Sequence, residues 1–141
     1  MLYKKTLSIG LSAFLLLSSA AVFAAEPTAS ISVNGEELVL EELPVFENDR
    51  ILVPMRAIFE ALDSQVGWDQ DTKTISAQNG ETFLLLQIDN QTLFKNNEKI
   101  SLEVAPKIIQ DRTYVPLRAV SEALDCSVSW DGDSRSVSIT K

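Results

Sequence analysis

The sequence predicts an α+β fold, mainly antiparallel strands covered by two short helices. Three observations carry that expectation. Alternating apolar and polar residues flank Asn-Gly and Asn-Asn pairs in "ISVNGEELVL" and "LFKNNEKISL". Two strings of helical period each begin at a proline, "PMRAIFEAL" and "PLRAVSEAL". The segment that holds these features is written twice: residues 31–77 align without a gap on residues 93–139, and twenty of the 47 positions are identical. A duplication of this length implies two tandem, pseudo-symmetric ββ-α-ββ units. Each has too little apolar surface to fold alone, so the pair is expected to close one core in a single compact domain.

The chain begins with a segment that is not expected to belong to the fold. Lys4 and Lys5 precede an apolar run from Leu7 to about Val22, and Val22-Phe23-Ala24 places small residues three before and one before a cut. Residues 1–24 therefore read as a secretory signal peptide. Residues 25–30 form a short linker, and the domain occupies 31–141.

Within each unit the first hairpin turns at Asn34-Gly35 or at Asn96-Asn97, residues that tolerate positive φ. An acidic linker with Pro44 or Pro106 follows, and the chain extends through "RILV" or "RTYV". Pro54 and Pro116 sit where a helix starts, where a missing N–H costs nothing. Met55, Ile58 and Leu62 make one apolar helix stripe, as do Leu117, Val120 and Leu124. A second hairpin turns at Gln70-Asp71 or Gly132-Asp133. Between the copies, "ETFLLLQIDNQ" reads as a buried strand and a turn.

Charge and composition exclude several functions. The chain holds 12 basic and 20 acidic residues, a net −8, and loss of Lys4 and Lys5 with the signal segment takes this to −10. Nucleic acid and anionic membrane surfaces repel such a protein. Histidine is absent, so neither a His-based catalytic triad nor an imidazole copper site can form. Cys126 is the one cysteine. It is expected to be a small core residue with no disulfide partner in the chain.

The string "VNGEEL…ENDRILVPMRAIFEAL…VGWDQDTKTI" and its second copy closely resemble the copper amine oxidase N-terminal-like domain, also called the stalk domain, over about residues 31–139. The resemblance implies a secreted or surface-attached protein of Gram-positive bacteria and a non-catalytic role. In the namesake enzyme, copper and the quinone cofactor belong to a different domain. The family commonly has Gly after "EAL", where a left-handed cap is wanted; here Asp63 and Asp125 stand in that place, a conformation Asp adopts at some cost.

The expected function is a non-catalytic, exported binding or scaffolding module, secreted and associated with the cell wall. Its partner would be a cell-wall polymer or another surface protein, with no cofactor, no copper and no nucleic acid. Two alternatives stand beside it. A wall-polymer hydrolase could use Glu60 and Glu122, which occupy equal helix positions. A calcium-dependent adhesive domain could use Asp69, Asp71, Asp131 and Asp133, although no Gly or Glu completes an EF-hand loop. The candidate binding residues are Phe59, Trp68, Trp130, Arg56 and Arg118. Phe59 is matched by Ser121 and is expected to be exposed, whereas the two Trp alternate with polar neighbours and are expected to face the core. Arg56 and Arg118 oppose the helix dipole, so each is expected to be a partly buried bracket, tied to the Glu four residues on or to Asp69 or Asp131.

Overall fold

The computed structural model describes residues 29–141; the signal segment and most of the linker lie outside the described residues. In chain order the elements are β1 (Ser30–Val33), β2 (Glu36–Glu37), β3 (Val45–Glu47), β4 (Arg50–Pro54), α1 (Met55–Ala61), β5 (Gln65–Asp69), β6 (Thr74–Asn79) and β7 (Thr82–Gln87). There follow β8 (Thr92–Lys95), β9 (Glu98–Ser101), β10 (Lys107–Ile109), β11 (Arg112–Pro116), α2 (Leu117–Ala123), β12 (Ser127–Asp131) and β13 (Ser136–Thr140). The class is α+β, with mostly antiparallel pairing and two helices among the described residues.

The strands form three sheets, ordered β12-β13-β1-β2, β10-β11-β4-β3 and β5-β6-β7-β8-β9. Each takes strands from both repeats, so the units are interleaved rather than tandem. In the second sheet β4 meets β11 through Val53↔Val115, flanked by Leu52↔Pro116 and Pro54↔Tyr114. Each of these pairs exchanges under the 62-residue shift. The other two sheets differ from each other. β1 bonds β13 directly and in parallel, whereas β7 stands between β6 and β8.

Local chemistry explains the elements. Asn34 and Gly35 take φ of 50° and 87°, the positive values that a tight hairpin needs. The stretch read as an acidic linker is in part a strand: β3 and β4 form a hairpin turning at Asn48 and Asp49, with φ of 51° and 61°. Gln110 and Asp111 repeat that turn between β10 and β11. β7 is not buried on both sides. Leu84 and Leu86 point into the core, while Phe83 and Gln87 are exposed on the outer face.

One large core cluster joins both repeats, with Met55, Ile58, Leu62, Leu117, Val120 and Leu124 among its members. Phe59 belongs to it as well, with 0% exposure, which overturns its assignment to the surface. Ser121 is buried as completely; the position is interior in both helices, filled by a ring in one and a hydroxymethyl in the other. Cys126 is buried and unpaired. Burial pushes its thiol pKa up, with Asp125 adding to the rise and Lys141 opposing it.

Candidate functional site

Two grooves flank the helices, with cavity volumes of about 850 and 740 Å³. The smaller joins α1 to the β10–β11 turn of the other repeat, through Pro54, Arg56, Ala57 and Glu60 on one side and Asp111, Arg112 and Thr113 on the other. Every residue lining it has its counterpart, 62 positions away, in the lining of the larger groove. There Pro116, Arg118, Ala119 and Glu122 of α2 face Asp49, Arg50 and Ile51 of the β3–β4 hairpin. The exchange follows from the interleaved sheets: β4 and β11 are neighbours, so each carries its own turn under the helix of the other repeat.

Ion pairs hold these walls in place. Arg50 binds Glu103 in the larger groove. Arg112 Nε lies 3.4 Å from Glu42 Oε2 beside the smaller one. Tyr114 is buried beneath, and its hydroxyl donates to the Leu43 carbonyl at 3.1 Å. Its pKa is raised by burial first and by Glu42 second, against the opposing charge of Arg112.

The larger groove holds a feature that its counterpart lacks. Phe46 and Trp130 meet edge to face, ring centres 6.4 Å apart, and are 40% and 42% exposed. Arg135 lies over both rings, its guanidinium carbon 5.0 Å from the Phe46 centre and 5.7 Å from that of Trp130. The equivalent positions, 62 residues away, hold Ile108, Trp68 and Lys73. Trp68 packs against the core and donates from Nε1 to Gln70 Oε1 at 2.9 Å. Trp130 cannot copy that bond because Gly132 replaces Gln70. A Cβ at Gly132 would lie 3.5 Å from Trp130 Nε1. So Trp68 faces the core in part, as expected, and Trp130 does not.

The other candidate residues are spread out. Arg118 donates to Glu122 Oε2 and to the Val128 carbonyl, both at 3.2 Å. The ion pair is half exposed, at 50% and 53%. Arg56 is exposed and has no ion-pair partner among the described residues. Arg118 thus makes the expected tie to the Glu four residues on and links its helix to β12, from a half-exposed position; Arg56 does not repeat that ion pair among the described residues, so the bracket is not duplicated. Glu60 and Glu122 lie in different grooves and cannot act as one carboxylate pair. Asp69 Oδ1 accepts from the Asp71 and Thr72 amides at 2.9 and 3.1 Å. Asp131 Oδ1 accepts from Asp133 and Ser134 at 3.0 and 3.4 Å. These acids shape their own turns, and no group of three His, Cys, Asp or Glu could hold a metal ion among the described residues.

Phe46 and Arg135 were not among the residues singled out from sequence. The available signal was position: Phe46 is matched by apolar Ile108 just before a left-handed turn, and Arg135 by the cation Lys73.

Comparison with known proteins places these features in context. The family model described as copper amine oxidase N-terminal domain matches residues 32–139. A Brevibacillus choshinensis protein named "Protease inhibitor" is 30% identical over 116 residues. The alignment covers 79% of this chain and 35% of that relative.

Proposed function

We propose, from the premise that the chain belongs to the copper amine oxidase N-terminal domain family, that it is an exported, non-catalytic binding or scaffolding module of the bacterial cell surface. Its binding site is the larger groove, and its ligand is a cell-wall polymer. The observation that carries this reading is the half-exposed Phe46–Trp130 pair with Arg135 above it. An exposed aromatic pair at the mouth of a concave, charged surface is suited to recognition. The smaller groove repeats the walls without the aromatic pair, which marks the larger one as the specialised copy. The relative named a protease inhibitor supports binding over catalysis as the mode of action; since the chain spans about a third of that relative, the inhibitory activity itself is not carried over.

The test is co-sedimentation of the purified protein with cell-wall fractions. Trp130→Ala should weaken retention by at least about tenfold, as for a central aromatic contact, and leave the melting temperature within a few degrees. Retention unchanged in Trp130→Ala would reject the groove. Retention only by fractions that still contain surface proteins would assign the partner to that class instead.

A further inference from the structure

The larger groove holds donors that the protein leaves unused. Three of its cations, Arg50, Lys95 and Arg118, each meet a carboxylate, those of Glu103, Asp125 and Glu122. Arg135 meets none among the described residues, and its Nε is buried without a hydrogen-bond partner. Its contacts with the Phe46 and Trp130 rings hold the guanidinium in place without using its N–H groups. Trp130 Nε1 likewise finds no acceptor among the described residues, since Gly132 removes the one that Trp68 has. A buried donor without a partner, as Arg135 Nε is, is unfavourable alone and becomes favourable when an acceptor arrives. The planar fork of arginine matches a carboxylate in two parallel hydrogen bonds.

Charge limits how many carboxylates can arrive. The chain carries a net −8, and Asp49, Glu98, Glu103 and Glu122 line the same groove. A polyanion with a charge on every unit would place some of its charges against these acids. A polymer whose carboxylates are spaced apart avoids that conflict, and its hydroxyl and amide groups can donate to the same acids. The exposed indole face suits the C–H face of a sugar ring. Resting on the reading of this groove as the binding site, we infer that it recognises a saccharide polymer bearing isolated carboxylates. One carboxylate is held by Arg135 and the neighbouring ring is stacked on Trp130.

Calorimetry with three probes tests this. The first is a tetrasaccharide alternating N-acetylglucosamine with N-acetylmuramic acid, whose lactyl ether supplies the carboxylate. The second is chitotetraose, which lacks it, and the third is a glutamate-containing tetrapeptide. The carboxylate-bearing glycan should bind at least about tenfold tighter than chitotetraose, the scale of one charge-assisted bond pair. Arg135→Gln should erase that difference, with Arg135→Lys intermediate. Thermal melting of both variants confirms that they fold. Equal affinity for the two glycans, no binding of either, or a preference that survives Arg135→Gln would overturn the inference. Tighter binding of the tetrapeptide would also overturn it and point to a protein partner. If the glycans are not distinguished while Trp130→Ala still releases the protein from wall fractions, only the carboxylate inference fails. If Trp130→Ala has no effect on wall binding, the groove reading fails with it.

Discussion

Phe59 and Ser121 stand at the same place on the two helices and are both fully buried, yet they do opposite things to stability. Phe59 fills its site, so Phe59→Ala removes a ring from the core and leaves a cavity. Changes of that kind cost about 3–5 kcal/mol, a large part of the whole stability of a domain this size. Ser121 Oγ is buried with no hydrogen-bond partner. Removing a hydroxyl that has lost water and gained nothing relieves a desolvation penalty of order 1 kcal/mol. Thermal or urea unfolding should therefore show Phe59→Ala strongly destabilised and Ser121→Ala as stable as the parent or more so. A loss above about 1 kcal/mol in Ser121→Ala would mean that its hydroxyl is satisfied after all. The same pair explains a misreading at the sequence level. A polar counterpart suggests an exposed position, but serine is small enough to be buried, and only the packing around it distinguishes the two cases.

Both helices end in one way, and the ending makes a prediction. In α1 the Asp63 amide donates to Glu60 and the Ser64 amide to Phe59; in α2 Asp125 donates to Glu122 and Cys126 to Ser121. This is the Schellman arrangement, which places the residue after the cap in the left-handed region. Asp63 and Asp125 are there, with φ of 60° and 65°. Glycine carries no Cβ penalty in that conformation, so Asp63→Gly should gain roughly 0.5–1 kcal/mol and raise the melting temperature by a few degrees. Asp63 is the better test because Asp125 also meets Lys95, at 3.1 Å. An unchanged or lower melting temperature would show that the aspartate side chain offsets its backbone cost. The helices, their proline starts and these caps were legible because each is fixed by residues within a few positions of one another. The β3–β4 hairpin was not, because its strands are short and its Asn48-Asp49 turn lies inside an acidic stretch. The different settings of Trp68 and Trp130 were also hidden. They depend on Gln70 against Gly132, and on Phe46, which lies 84 positions before Trp130 and meets it only through the interleaved sheets.

At the scale of the molecule, the interleaving decides what can fold. β1 forms its parallel ladder with β13, from Ser30↔Ser136 to Val33↔Ile139, and the Lys141 amide donates to Asn34 Oδ1 at 2.9 Å. The first and last described strands thus close the structure on each other. A cut at the Gly80 turn, between β6 and β7, would break that ladder, the β4–β11 ladder and the six-pair ladder of β6 with β7. It would also divide the main core cluster, which draws on both sides of the cut. Pieces of fifty to sixty residues bury a smaller fraction of their surface than larger domains even when intact, about 60%, and here each would expose strand edges as well. Fragments 29–80 and 81–141 should therefore be unfolded separately, with no cooperative thermal transition and little spread of amide proton shifts. Mixed in equal amounts they should recover the native spectrum, because the pairs lost on cutting lie between fragments rather than within them. Circular dichroism, melting curves and sedimentation of each fragment provide the check. A monomeric 29–80 fragment that melts cooperatively would show that one repeat is a folding unit in its own right, and the duplication would then be an addition of domains rather than the two halves of one core.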